Sequence, residues 1–317
     1  MSASQRTLVA VVGATATGKS ELGEALARAL GGEIVCADAR QVFGELELGT
    51  GKPTPAERAA APHHLFDALR LEQRPSAGWY ARAARETCER LFASGVLPVL
   101  VGGSGLYLRA LLEGLHPEPP HDPGVRERLR AELERAGPEV LHARLVRVDP
   151  ASAARIAPRD RQRVTRALEV FEASGRALSD WHAEASREAL NADARVLELT
   201  CEARLLGGRI ERRTAAMFEQ GLVEETRGLE ARGRGEALRA LRAIGYDEAL
   251  ELLAGRLDRA AAEARTNLRT RQLAKRQRTW FRHQLEAARL PARAVWDRTA
   301  LAEALTALRL TPRRGLP

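Results

Sequence analysis

The sequence predicts an α/β fold, a P-loop NTPase-like parallel sheet core with a helical insertion domain. Three observations carry that prediction. Gly13-Ala14-Thr15-Ala16-Thr17-Gly18-Lys19-Ser20 matches the phosphate-binding loop pattern G-x-x-x-x-G-K-[ST] at every position. Short β-branched apolar runs alternate with Ala-, Leu- and Glu-rich stretches, the rhythm of a parallel sheet with helical crossovers. A Pro-rich run at residues 115–123 (LHPEPPHDP) then breaks the rhythm, and the chain beyond it is helical and charged.

Residues 7–12 (TLVAVV) read as a buried strand, and residues 21–30 as a helix closing on Gly31-Gly32. That strand–loop–helix context turns a string match into a site. The glycines let backbone N–H groups curl around a phosphate chain, and the helix N-terminus adds its positive dipole end. Lys19 neutralises oxygens, and the Ser20 hydroxyl suits a Mg²⁺ ligand. The chain is therefore expected to handle a di- or triphosphate. Residues 33–38 (EIVCAD) form a second strand ending in an acid, followed by a loop containing Gly49-Thr50-Gly51-Lys52-Pro53. A helix over 78–93 leads to a third strand at 96–101 (VLPVLV), which ends in Gly102-Gly103-Ser104-Gly105-Leu106-Tyr107. The carboxyl ends of parallel strands form the ligand crevice of such sheets, so the phosphate loop, Asp38 and Ser104 are expected to converge. Residues 119–193 read as a helical insertion within a core of 1–118 and 194–317. Residues 195–200 (RVLELT) restore a strand, and the remainder is helical, with a short strand near 294–297 and a final helix.

At 317 residues and 44% hydrophobic content the chain can bury a full core. No apolar run approaches membrane-spanning length, and the first one, residues 8–12, leads straight into the phosphate loop, as a strand does and a signal peptide does not. Cys36, Cys88 and Cys201 lack metal or redox spacing and read as reduced residues of a cytoplasmic protein. Lys and Arg total 50, giving a net charge of +8, yet only Lys19, Lys52 and Lys275 are lysines. Such an Arg and Ala bias reflects coding-DNA composition, so the arginine count alone says little. The lysines say more, because a compact ammonium reaching a phosphate is not replaceable by a guanidinium.

Asp38 ends a strand at the crevice, where it can be a general base, a metal partner, a substrate-orienting group or a turn residue. The apolar strand VLPVLV runs into Gly102-Gly103 and not into a Walker B acid, which favours a transferase whose loop holds a leaving group over an ATP-hydrolysing motor. The Ser104 hydroxyl can serve a phosphate oxygen or simply its Gly-flanked turn. Arg159, Arg163 and Arg166 share one helix face opposite Val164, Leu168 and Phe171, and in so Arg-rich a chain a solvated face is a simpler reading than a ligand site. In residues 271–282 (RQLAKRQRTWFR), Arg271, Lys275, Arg278 and Arg282 form a basic stripe opposite Leu273 and Trp280, with Arg276 off the stripe. That density suits a phosphodiester backbone, and a solvated basic face is its rival. His63-His64 with Asp67 are not read as a metal site, because neighbours on an extended segment point in opposite directions.

Taken together these residues resemble the tRNA dimethylallyltransferase family, the tRNA isopentenyltransferases. The resemblance covers nearly the whole chain through an ordered series: GATATGKS, CADARQVF, GTGKP, PHHLFD, VGGSGLY, RQRVTRALEV, RIERR, RAIGYDE and RQLAKRQRTWFR. It implies transfer of a dimethylallyl group from dimethylallyl diphosphate to the exocyclic amine of the adenosine 3′-adjacent to the anticodon, with Mg²⁺ required and diphosphate released. By resemblance Gly13 to Ser20 (Gly13, Ala14, Thr15, Ala16, Thr17, Gly18, Lys19, Ser20) hold the donor diphosphate, and Ser20 is a metal ligand. Asp38 matches the general base, Ser104 a contact at the reacting end of the tRNA, and Arg213 a diphosphate-binding arginine. Contacts to tRNA are implied for Asp38, Ala39, Arg40 and Gln41, and for Ser104 and Arg126. They are also implied for Gln162, Arg163, Val164, Thr165 and Arg166, for Arg242, Gly245 and Tyr246, and for Lys275, Arg276, Arg278, Trp280 and Arg282. The insertion resembles a mobile domain that grips the anticodon stem-loop. A cytoplasmic monomer without a membrane partner is expected.

The chain departs from the family pattern at four places. Asp-Ser is here Asp38-Ala39, Gly-Gly-Thr is Gly102-Gly103-Ser104, a loop Tyr is Phe43, and Gly-Tyr-Arg is Gly245-Tyr246-Asp247, which exchanges a cation for an acid. Rival readings are a small-molecule kinase, an adenylate isopentenyltransferase acting on free nucleotides, and a non-enzymatic nucleic-acid-binding switch. The first leaves the basic helix and the insertion idle.

Overall fold

In the computed structural model of the chain, which describes residues 6–59, 61–115, 119–184 and 189–312, strand β1 (Thr7–Gly13) is buried on both faces. Leu8, Ala10 and Val12 pack to one side and Val9 and Val11 to the other, which is why the run reads as continuously apolar. The chain continues through α1 (Lys19–Leu30), β2 (Gly32–Cys36), a 3₁₀ turn (Leu48–Thr50), α2 (Pro55–Ala59), β3 (His63–His64), α3 (Ala77–Ala93), β4 (Leu97–Gly102) and α4 (Gly105–Leu112). After the insertion come β5 (Asp193–Thr200) and then a helical run. The chain ends with β6 (Ala288–Pro291) and a last helix (Arg298–Leu308). Among the described residues six strands lie in the order β3-β2-β4-β1-β5-β6, all parallel. Helix α1 and the last helix cover one face, where Leu22, Leu26, Leu305 and Leu308 pack. Helices α3 and α4 cover the other, where Tyr80 stacks on Tyr107 at 4.3 Å between ring centroids.

One expected strand falls elsewhere. Residues 294–297 are irregular, Val295 is exposed, and Asp297 accepts the Ala300 N–H as the N-cap of the last helix. The strand is β6 instead, where Leu290 pairs with Leu199 and reaches the core. The two-residue β3, with His64 Nε2 on Glu33 at 2.6 Å, adds an edge that the sequence pattern does not announce.

The chain divides into two compact units, Met1–Leu112 with Leu190–Pro317, and Glu113–Ala189. Their boundaries lie within six residues of the insertion expected from sequence. The smaller unit holds α5 (Pro123–Ala136), α6 (Pro138–Val148), α7 (Pro150–Ala153), α8 (Arg161–Ser174) and α9 (Leu178–Ala183) around Leu129, Leu141, Leu145, Val164 and Leu168. Its helix starts are set by Asp122, which accepts from Gly124 and Val125 N–H, and by Asp160, which accepts from Arg163 N–H. In the larger unit α10 (Ala203–Glu219), α11 (Leu222–Ala231), α12 (Gly235–Leu241), α13 (Tyr246–Leu253) and α14 (Arg259–Gln284) build a further core with the loop after β2. The last helix of the chain is α15. Among the described residues no helix is long and apolar enough to cross a membrane.

Candidate active site

The phosphate loop runs from the end of β1 into α1, whose N-cap Gly18 takes φ 84°. Thr17 Oγ1 and Lys19 Nζ both donate to Ala14 O, at 2.8 and 2.7 Å, which curls the loop on itself. Burial lowers the Lys19 pKa to about 8; Asp38 opposes that shift and Arg213 adds to it. An ammonium so poised gains most when a diphosphate arrives.

Arg213 on α10 reaches the loop from the side. Its Nη1 donates to Thr15 Oγ1 at 3.0 Å and its Nη2 to Thr50 O at 3.0 Å. Burial pulls its pKa down and Asp38 holds it up. Gly51 lies under the guanidinium: at φ 59° a Cβ there would sit 2.0 Å from Arg213 Nη2. Gln277 on α14 holds the loop from a third direction. Its Oε1 accepts the Thr15 N–H at 2.9 Å and its Nε2 donates to Gly103 O at 3.0 Å. Sequence reasoning passed over Gln277, although it shares the inward face with Leu273 and Trp280, where a polar residue stands out.

Asp38 follows β2. Its Oδ1 accepts the Arg40 N–H at 2.8 Å, and Oδ2 has no partner among the described residues. Ser104 after β4 accepts the Ala39 N–H on its Oγ at 2.9 Å and donates its own N–H to Ala37 O at 3.1 Å. It lies behind Asp38, fixing the turn, and is not part of the cavity lining. That cavity measures about 380 Å³ and is lined by Thr15, Asp38, Arg40, Arg213, Arg242, Gly245, Arg276 and Gln277 among others. The phosphate loop, the strand-end acid and two C-terminal helices thus share one chamber.

Other residues singled out from sequence take different places. Lys52 is buried, donating to Phe43 O at 2.8 Å, Asp67 at 2.5 Å and Glu47 at 3.1 Å, so it binds its own loop and not a phosphate. The Gln41 amide is spent on Thr50 O and Gly51 O. Tyr246 borders the cavity, but its side chain is fully buried, with its hydroxyl donating to Glu225 at 2.6 Å. That burial corrects the expectation of a contact to tRNA through its side chain. Val164 and Thr165 are corrected likewise: Val164 is in the core of the smaller unit, and Thr165 Oγ1 donates to Arg161 O. Arg159 precedes α8 and pairs with Glu139, while Arg163 is exposed beside its own cap Asp160. Gln162 is exposed. Within that unit Arg126, Arg166 and His121 gather on the buried Glu169. Asp247 accepts from Arg269 Nη1 at 2.8 Å, so the acid at this position is matched by a cation on α14.

Helix α14 divides its cations between two surfaces. Arg276 lines the Asp38 chamber, whereas Arg271, Lys275, Arg278 and Arg282 line a separate groove of about 450 Å³ against Leu206 and Ile210 of α10. Arg271 is paired with Glu211. The helix is anchored by Ala274, Phe281 and Trp280; Leu273 borders the chamber instead of serving as the expected anchor.

Ser20, in the first turn of α1, is exposed, and its hydroxyl has no protein partner among the described residues. Among the described residues no cluster of three or more His, Cys, Asp or Glu side chains is placed to hold a metal ion. A lone hydroxyl beside a diphosphate site is a donor set that suits Mg²⁺, which keeps several waters and takes its remaining oxygens from phosphates.

Fold and site together define a phosphate-binding-loop α/β protein with a carboxylate and the loop lining one chamber. The IPP transferase family model matches residues 41–284, and the Isopentenyl transferase model matches residues 6–71. The chain belongs to the IPP transferase family. It is 46% identical over 280 residues to a tRNA dimethylallyltransferase of Sorangium cellulosum, covering 88% of this chain and 89% of the relative. To a protein of the same name from Anaeromyxobacter dehalogenans it is 48% identical over 276 residues, with 87% and 91% covered. Among solved structures, the full-length tRNA isopentenylpyrophosphate transferase of Bacillus halodurans aligns with TM-score 0.69 and 32% identity, over 96% of this chain and 97% of that one. A eukaryotic dimethylallyltransferase captured acting on tRNA aligns with TM-score 0.77 and 25% identity, over 98% and 81%.

Proposed function

We propose that the protein transfers a dimethylallyl group from dimethylallyl diphosphate to the exocyclic amine of the adenosine 3′-adjacent to the anticodon in tRNAs, releasing diphosphate. The observation that carries this reading is that Thr15, Arg213 and Asp38 line one chamber, so that a diphosphate on the loop and an acceptor at the carboxylate meet inside it. The names of the relatives supply the donor and acceptor classes.

The chemistry follows from this chain's own groups. The allylic C1–O bond breaks and its electron pair leaves with the diphosphate. Lys19, Arg213 and the loop amides stabilise the charge that develops there. Adenine inside a stack presents a poor nucleophile, so the base is extruded into the chamber at a cost of roughly a few kcal/mol. The N6–C1 bond then forms, and Asp38, with Oδ1 fixed by Arg40 N–H, accepts the amine proton on Oδ2. Ser20, together with diphosphate oxygens, would hold Mg²⁺, which would supply further neutralisation of the leaving group. Arg40, Arg242 and Arg276, which line the chamber, and the groove of Lys275, Arg278 and Arg282, are suited to tRNA phosphates. The smaller helical unit supplies Arg126 and Arg166 for the anticodon stem-loop. The enzyme acts as a monomer in the cytoplasm.

An anticodon stem-loop carrying inosine in place of the target adenosine tests the reading. It lacks the exocyclic amine, so it should bind with little loss and take no label from the donor. Labelling of the inosine stem-loop would place the reaction at another atom and overturn the assignment.

A further inference from the structure

Arg213 is aimed by two contacts, one to the phosphate loop and one to Thr50 O in the 3₁₀ turn Leu48–Thr50. The second contact is only as well placed as the turn itself, and the start of that turn is held from another helix. Glu225, in the first turn of α11, accepts the Glu47 N–H on Oε1 and the Leu48 N–H on Oε2, both at 2.9 Å. These are the amides that a helical turn leaves unpaired at its start. Tyr246 completes the clamp: its hydroxyl donates to Glu225 Oε1 at 2.6 Å and accepts the Gly49 N–H at 3.2 Å. The Tyr246 ring is packed so closely that a Cβ on Gly49 would sit 2.4 Å from it.

We propose that Glu225 is a positioning residue for prenyl transfer, which holds the turn at 47–50, through two backbone amides and the Tyr246 hydroxyl, at the height that aims Arg213 at the donor diphosphate. Glu225 does not line the Asp38 chamber. Its effect reaches the reaction only through Thr50 O and the guanidinium, and that routing is what distinguishes it from a residue that merely stabilises the fold. The inference rests on the prenyl-transfer reading above.

The test is a double-mutant cycle between Glu225→Ala and Arg213→Ala, read as kcat with saturating donor and anticodon stem-loop, alongside stem-loop Kd. Glu225→Ala should lower kcat roughly ten- to a hundredfold, as a displaced catalytic group does, with stem-loop Kd within about twofold. In the Arg213→Ala background the same change should cost less than about twofold, because the group it positions is gone. Glu225→Gln keeps one acceptor oxygen and should fall between wild type and alanine; it carries the same cycle where the alanine variant does not fold. A folded Glu225 variant with wild-type kcat, or equal losses in both backgrounds, would overturn the proposal. A wild-type enzyme inert towards donor and stem-loop would sink the prenyl-transfer reading itself, an outcome visible before any variant is made.

Discussion

Arg213 Nη1 donates to Thr15 Oγ1 at 3.0 Å, joining positions 198 residues apart. A guanidinium is thereby added to a loop that already carries an ammonium, so that charge leaving with the diphosphate meets two cations instead of one. Arg213→Ala should lower kcat by roughly a hundred- to a thousandfold, the range for removing one preorganised donor from a developing anion. The affinity for an anticodon stem-loop should stay within about twofold. Turnover and binding assays on the same preparation check this, and a variant that loses stem-loop affinity while keeping turnover contradicts the role.

Lys19 makes donor binding depend on pH. Its folded pKa is about 8 against an ordinary 10.5, so in donor-free enzyme the ammonium is lost as pH rises through about 8. Affinity for a non-reactive diphosphate analogue should fall above that pH, and binding there should take up a proton, both readable by calorimetry. The sign for stability is the opposite. Between about 8 and 10.5 the unfolded chain binds the proton that the folded one has shed, so the Lys19 contribution to donor-free stability rises with pH across that window. Lys19→Ala should nearly abolish transfer, leave stem-loop binding intact and remove the pH-dependent step in analogue affinity. Analogue affinity that stays flat from pH 7 to 9 in the wild-type protein would contradict the assignment.

The basic groove gives a salt-dependent prediction. If Lys275, Arg278 and Arg282 neutralise phosphates, replacing all three by Ala should weaken stem-loop binding and flatten the log–log salt slope by roughly one per lost contact. Arg271→Ala should change the slope far less, because Glu211 already pairs with it. Binding at several salt concentrations separates this from a merely solvated face, for which both the triple variant and Arg271→Ala keep the wild-type slope.

Gly105 gives a stability prediction. A Cβ there would lie 2.1 Å from the Trp280 ring, so Gly105→Ala forces the indole off its seat on the first residue of α4. Overpacking of this kind costs about 1–3 kcal/mol, more than the helical preference for Ala returns. Chemical denaturation should show that loss together with a change in tryptophan fluorescence. An unchanged or raised stability would mean that Trp280 moves aside without cost.

The phosphate loop and the central strands were legible because each is a local signal: a string with one backbone geometry, and apolar runs buried on both faces. Asp38 was legible from its place at a strand end. Lys52 was not, since a lysine in a Gly-rich loop reads alike whether it meets a phosphate or, as here, Phe43 O and Asp67. Gln277 and Glu225 act on backbone amides far along the chain, a pairing that no periodicity records. Strand β6, with an Arg and a terminal Pro in four residues, reads as linker until Leu199 is placed beside Leu290.

The central claim is that a donor held on the phosphate loop alkylates an adenine amine of tRNA beside Asp38. One incubation tests it most directly: labelled dimethylallyl diphosphate and Mg²⁺ with unmodified tRNA, AMP or ATP offered separately, using wild-type and Asp38→Asn protein. The account predicts label only in tRNA, on the adenosine 3′-adjacent to the anticodon, and a turnover loss in Asp38→Asn on the order of a hundredfold or more at near-normal tRNA affinity. Label appearing in AMP or ATP in preference to tRNA, or undiminished turnover in Asp38→Asn, would contradict it.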